Sequence, residues 1–459
     1  MTPLLIRTLP ALACIVLLSA DPTTLPKQEP QGVVTAPEVS PDREHEWWQW
    51  RGPLGSGVAP HGTPPLTWSE GENVRWKIAL PGVGQGTPIV CGDRVFVTSA
   101  EPIGAPFAPL PETSPGAHDN TPVSRKYRFL LTALRRSDGK KLFERTLSEA
   151  IPHESVHKSG THASASPVTD GRDVFAFLGS RGLFAVDFDG EPLWSIDLGD
   201  MLVKHGHGEG GSAALHGDTL LVNWDHEGDS FVVALDKRNG EERWRIERDE
   251  VTSWATPIVI EHKGRAQAIV SGSHRVRSYD LANGDVLWEC GGLSRNVVAS
   301  PVANEEMVFV ASSYDKQAML GIRLEGAKGD ISRSSNVVWS RRRGTPYVPS
   351  PLLYEDALYI LHHYQPKLSR LLARTGEELG DTLRVRGLGN IYASPVGAAG
   401  RVYLSDLEGA TVVLSHEPSP RILARNQLND SFGASAAIAG DELYLRGERF
   451  LYCLAEDGE

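Results

Sequence analysis

Apolar residues in this chain come in short bursts of roughly four to eight, alternating with polar residues or running briefly unbroken, and each burst stops at a turn-forming pair. Residues 165–198 show one complete unit: segments 165–168, 173–178, 182–187 and 191–198 read as strands A to D, with Asp189-Gly190 between C and D. An Asp-Gly pair between two such runs is a hairpin turn, because both of its residues tolerate positive φ. Asn239-Gly240 and Asn283-Gly284 stand at the same place in the next two units. Sustained helical periodicity is almost absent, so the pattern predicts an all-β protein.

The units repeat. A small-residue, hydroxyl, small-residue phrase opens each of them, as in Ala165-Ser166-Pro167, Ala255-Thr256-Pro257 and Ala393-Ser394-Pro395. The eight hydroxyl positions are Thr87, Ser166, Ser212, Thr256, Ser300, Ser350, Ser394 and Ser435, spaced by 79, 46, 44, 44, 50, 44 and 41 residues. A period in the forties with four short strands per unit is the mark of a β-propeller, here with eight blades. Trp194, Trp244, Trp288 and Trp339 fall in the outer strands of four blades, where an aromatic ring can bury roughly 150–250 Å² against the next blade. Leu379 and Ile422 stand near that place in blades 6 and 7. Blade 8 reaches its third strand at 450–454, and Asp457-Gly458-Glu459 offers no fourth. The segment 73–80, with Trp76, has an outer-strand look and no strands of its own before it, so it is expected to complete blade 8 and close the ring.

With 459 residues, 46 glycines and 31 prolines, the chain suits one large β domain over residues 46–459. Arg7 followed by an apolar run to Ala20 predicts a secretory signal at 1–20, and 21–45 reads as a flexible Pro- and Thr-rich linker. The expectation is export to the periplasm or cell envelope, with an uncleaved segment acting as a membrane tether as the alternative. A net charge of −12 argues against nucleic acid as a partner. Outside the signal the cysteines are Cys91, Cys290 and Cys453, read as buried small side chains, with a Cys91–Cys453 bond between neighbouring blades as the other reading. A monomer is expected.

The outer-strand sequence Ala234-Leu235-Asp236-Lys237-Arg238-Asn239-Gly240-Glu241-Glu242-Arg243-Trp244 resembles the tryptophan-docking repeat of quinoprotein propellers. The opening Trp47-Trp48-Gln49-Trp50-Arg51-Gly52-Pro53 is similar to the lead-in of secreted bacterial proteins with pyrroloquinoline-quinone-like repeats. Two functions are implied by the resemblance, that of the quinoprotein alcohol dehydrogenases and that of BamB, the propeller subunit of the outer-membrane barrel-assembly machine. It implies, for the dehydrogenases, a quinone held under two adjacent, mutually bonded cysteines beside a calcium set. The chain has no adjacent cysteine pair, and it lacks a clear lipidation site of the BamB type.

Propeller geometry places the D-to-A and B-to-C loops on one face. Ten of the fifteen histidines fall in or beside those loops, which makes that face the candidate functional surface. His153, His157 and His162 lead into blade 2, and His205-Gly206-His207-Gly208-Glu209 leads into blade 3. His157, His162, His205, His207 and Glu209 are therefore candidate ligand-binding residues. Three readings stand for them: a transition-metal site, a polar ligand pocket, or ordinary packing. Trp254 and Tyr392 precede strand A of blades 4 and 7, placed to stack on a planar ligand or to plug the channel. The segment 101–126 is an insertion in blade 1 on the same face, suited to a lid or a docking loop.

These features lead to a noncatalytic cell-envelope propeller that binds a protein partner or small polar ligand through its histidine-rich face. The alternative is a quinone- or metal-dependent oxidoreductase. No cofactor is expected on the first reading, pyrroloquinoline quinone or a transition metal on the second. A hydrolase is disfavoured, because no Gly-x-Ser-x-Gly stands at a strand-to-helix turn.

Overall fold

The computed structural model describes residues 41–456. The signal at 1–20 and the linker up to residue 40 lie outside the described residues, which begin with a 3₁₀ turn at Pro41–His45. Among the described residues, eight sheets of four antiparallel strands follow one another in chain order, and no helix is long and apolar enough to cross a membrane. This is the eight-bladed propeller expected from the repeat. Blade 2 follows the predicted unit closely, with strands Val168–Thr169, Asp173–Phe177, Leu183–Asp187 and Pro192–Ile196. In blade 5 the C-to-D connection is long enough to add a two-residue strand, Gly329–Asp330, to the outer edge of blade 4.

The ring closes as the sequence predicts. Strand Val74–Ala79 pairs antiparallel with Phe450–Leu454, opposing Trp76 to Cys453 and Ile78 to Leu451. Adjacent sheets then bury their apolar faces on each other. Between blades 2 and 3, for instance, Phe175, Leu183, Leu220, Val222 and Val233 are fully buried, each such side chain contributing roughly 1.5–3 kcal/mol.

The outer-strand tryptophans fasten each blade to the next. Trp76, Trp194, Trp244 and Trp339 donate their indole N–H to a carbonyl of the following blade's C-to-D turn: Arg136 (2.8 Å), Lys237 (2.9 Å), Leu281 (2.9 Å) and Ala373 (2.8 Å). The ring lies on that turn's glycine. At Gly284, with φ +79°, an added Cβ would stand 2.8 Å from the Trp244 ring, so the Asn-Gly turn is needed both for its backbone sign and for the room it leaves. Trp288 departs from the pattern, because its buried indole N–H has no partner among the described residues.

The lead-in crosses the underside of the ring from one side to the other. Trp47 bridges to Val90 of blade 1, and the Trp48 carbonyl accepts from the Thr169 amide of blade 2. On the far side Ser56 accepts from Leu353 of blade 6, and Gly57 and Ala59 bond to Gly397 of blade 7. Arg51 is completely buried, with no acidic partner among the described residues, and burial lowers its pKa to about 9. Its guanidinium donates to the carbonyls of Pro351 and Pro395, both at 2.7 Å. Cys91, Cys290 and Cys453 are free and buried, and burial pushes their thiols up to about 12, 11 and 12.

Candidate functional site

Each blade's opening phrase brings a small hydroxyl to the channel wall. The backbone N–H of Thr87 donates to Ser166 Oγ at 2.9 Å, that of Ser166 to Ser212, and the chain of bonds continues through Thr256, Ser300, Ser350 and Ser394 to Ser435 at 2.9–3.1 Å. Thr87 Oγ1 completes the circle by donating to the Ser435 carbonyl at 3.1 Å. Small flanking residues let the eight strands come this close. Among the described residues, the ring hydroxyls other than Thr87 accept an N–H but donate to no protein acceptor, so their own hydrogens stay available. From below, Trp50 rises to this level and donates Nε1 to Ser300 Oγ at 3.1 Å. With the lead-in beneath it, the channel is a blind cup of about 380 Å³ that opens on the face of the D-to-A and B-to-C loops.

Histidines form one wall, at blades 1 to 3. Ring centroids of His118 and His207, and of His157 and His207, are 4.8 Å apart in edge-to-face contact, and His205 is 5.3 Å from His207. One nitrogen of each ring is engaged with a neighbour. His118 Nδ1 donates to Gly116 O (2.8 Å), His205 Nδ1 to Pro115 O (3.1 Å) and His207 Nε2 to His118 O (3.3 Å), while His157 Nδ1 bonds Ser159 Oγ (2.6 Å). Burial lowers the pKa of His157 and takes that of His207 down to about 4, so both are neutral imidazoles at neutral pH. The insertion of blade 1 is docked on this wall: Asn120–Thr121 pairs with Val156–His157, and Asn120 donates to the His205 carbonyl at 2.8 Å.

Tyrosines form the opposite wall, at blades 5 to 7. Tyr347 stacks on His363 (4.6 Å, 16°), Tyr364 on Tyr392 (5.5 Å, 18°), and Tyr314 lies 5.8 Å from Tyr347. Burial raises Tyr347 to about 12 and lowers His363, so both are uncharged at neutral pH. Trp254 stands between the walls, its indole N–H donated to Gly208 O at 2.7 Å. Asp119, His205 and His363 all hold positive φ (56°, 60° and 62°), backbone that non-glycine residues seldom adopt and that tends to collect at binding sites.

The expected residues are thus divided. His157, His205 and His207 meet in one cluster, joined by His118, which sequence reasoning placed on the right face without singling it out. Trp254 and Tyr392 line the cup. His162 is set apart behind the histidine wall against Tyr127 (4.8 Å), and burial takes its pKa to about 4. Glu209 borders the cup but turns its carboxylate onto Ser180, accepting from the Ser180 amide (2.8 Å) and hydroxyl, and burial raises its pKa. Among the described residues no three His, Cys, Asp or Glu side chains converge where a metal could be held. Tyr314 and Tyr364, on the B-to-C loops of blades 5 and 6, and Tyr347, on the link into blade 6, were missed, because such loops carry no periodic signal.

A quinone held as the dehydrogenase resemblance implies needs adjacent bonded cysteines and a calcium-binding carboxylate set. Cys91, Cys290 and Cys453 lie in blades 1, 4 and 8. The cup's carboxylates are Asp119, paired with Lys158 at 2.7 Å, and Glu209, held by Ser180. The residues present do not fit that arrangement.

The family profile described as "Outer membrane protein assembly factor BamB" matches residues 104–252, 183–289 and 228–459, which together span most of the chain. No curated protein matches the chain in sequence. Among solved structures, BamB from Moraxella catarrhalis superposes with a TM-score of 0.57 at 15% identity, covering 83% of this chain and 98% of that one. A quinohemoprotein alcohol dehydrogenase from Comamonas testosteroni gives 0.60 at 8% identity, covering 91% of this chain and 82% of that one. A europium-containing methanol dehydrogenase gives 0.58 at 10% identity, with coverages of 88% and 90%. At these identities the likeness is one of fold.

Proposed function

The chain belongs to the family of the outer membrane protein assembly factor BamB, and on that premise we propose that it is a noncatalytic propeller of the cell envelope, binding a protein partner or small polar ligand through the cup and its rim. The observation that carries this reading is the cup itself. The segments leading into all eight blades converge on one cavity whose floor is a ring of hydroxyls and whose walls are imidazoles and phenols. Cavities of roughly 300–1,000 Å³ with a few convergent polar groups are the usual small-molecule sites. Reaction chemistry asks for a different arrangement, an activated nucleophile or an acid–base pair with pKa values pushed apart. Here His157 and His207 are pushed down together, and one ring nitrogen of each is bonded, to Ser159 Oγ and to the His118 carbonyl.

The test is position-specific photo-crosslinking in producing cells, with a benzophenone amino acid in place of Tyr314 at the rim or Leu54 on the underside. Both side chains are exposed, at 42% and 53%. The expected result is an adduct, as a protein band or a small mass increment, from position 314 and not from 54. Equal labelling from both positions, or none from either, overturns the assignment of this face.

A further inference from the structure

We infer that the cup is a receptor for a neutral saccharide, a short free oligosaccharide or the end of a glycan chain. The inference rests on the reading of the cup as a binding site and names its ligand class. Hydroxyl density is the first argument. The floor presents serine and threonine hydroxyls that already accept an N–H and retain a hydrogen to donate, and the tyrosine wall adds phenols. A polyhydroxylated ligand both donates and accepts, and few other ligands match so many neutral groups of that kind.

Charge is the second argument. No lysine or arginine is among the residues that line the cup, and the two lysines beside it are engaged, Lys158 with Asp119 and Lys204 over the Tyr314 ring, so a phosphate or carboxylate would enter without a free counter-ion. Asp119 is occupied by Lys158 and Glu209 by Ser180, which leaves no carboxylate free for a cation. A quaternary ammonium wants a box of aromatic faces. Here Tyr347 and Tyr364 each give one face, to His363 and Tyr392 respectively, and the Tyr314 ring already faces Lys204, so the rings do not form such a box. Trp254 is different. Its N–H is already satisfied by Gly208, so what it offers the half-open cavity is indole surface, the usual partner for the C–H face of a sugar ring. The third argument is shape. Trp50 and the lead-in seal the floor, so a chain end or a short free sugar can be seated, whereas the interior of a long polymer cannot thread through.

The experiment is saturation-transfer NMR on the purified chain with maltose, cellobiose and N,N′-diacetylchitobiose, and with choline and glucose 6-phosphate as charged comparators. Transfer to at least one neutral disaccharide is expected, and neither comparator should show it. Tyr392→Phe, which deletes one hydroxyl and keeps the ring, should weaken that binding about five- to tenfold, and Trp254→Ala by about tenfold or more. Melting temperature checks the fold of each variant, and the conservative Tyr392→Phe keeps the test valid if Trp254→Ala unfolds. A longer oligomer of the responding sugar separates the two sources: equal affinity per mole identifies a captured chain end, and loss of binding identifies a short free saccharide. Silence from all three disaccharides, preference for choline or the phosphate, or binding indifferent to both substitutions overturns the inference. Crosslinking from the rim would still stand in each of those cases, so the failure of the ligand class and the failure of the binding face can be told apart.

Discussion

Removing Trp244 is the sharpest way to ask what holds the blades together. Its ring is buried, stacks near Tyr279 at 6.3 Å, lies on Gly284 and donates to the Leu281 carbonyl at 2.9 Å. Trp244→Ala empties a site that the surrounding turn cannot collapse into, and large aromatic-to-alanine changes in cores cost about 3–5 kcal/mol. Trp244→Phe keeps much of the packing and loses the hydrogen bond, which adds about 1 kcal/mol to a modest cavity cost. Trp288 provides the internal control. It is as buried, yet its N–H bonds to nothing among the described residues. Trp288→Phe should therefore cost about 1 kcal/mol less than Trp244→Phe, because no hydrogen bond is lost and an orphan donor is removed. Urea titration of the variants, compared at equal slope, measures these differences. A loss below about 1 kcal/mol for Trp244→Ala, or equal losses for the two phenylalanine variants, would refute the docking argument.

Three other outcomes are expected. Deleting residues 73–80 should leave Phe450–Leu454 as a bare edge and give aggregated protein on size-exclusion chromatography; a soluble variant with an unchanged melting temperature would speak against closure by this strand. The pKa values of His162 and His207 are lowered from an ordinary 6.5 to about 4, so the unfolded chain binds more protons between those values. Stability should then be full above about pH 6.5 and fall as the pH drops toward 4, with a shallower fall in His162→Gln, measured by melting temperature across that range; identical slopes would count against burial as the cause. Reconstitution with pyrroloquinoline quinone and calcium should give no alcohol- or sugar-dependent dye reduction, and turnover above background would promote the oxidoreductase reading.

Much of the fold was legible because it repeats. Phrases such as Ala165-Ser166-Pro167 marked each innermost strand, Asn283-Gly284 marked a hairpin, and the tryptophans marked the outer edge. The same regularity identified the face on which the cup opens, since loop class follows from strand order alone. What the sequence did not expose were contacts without a period. Nothing near Trp50 or Arg51 signals that their partners are Ser300, Pro351 and Pro395 on the far side of the ring. His118 sits in a proline-rich insertion whose docking depends on side-chain and backbone bonds from two other loops. His162 looked like a cup residue from its spacing, but the chain turns it behind the wall, where burial and Tyr127 hold it. Glu209 was placed by its neighbours His205 and His207, whereas its direction is set by Ser180 in another blade.

The lead-in beneath the ring also orders events in time. Arg51 bonds to carbonyls 300 and 344 residues further along the chain, contacts of very high sequence separation. Loop-closure entropy makes such contacts late and slow to form. Residues 47–59 are synthesised before any blade exists to receive them, and they can settle only once blades 6 and 7 are in place. The floor of the cup is thus among the last parts of the molecule to be finished. On the binding reading proposed above, ligand capture and a sealed floor should appear in the same kinetic phase during refolding.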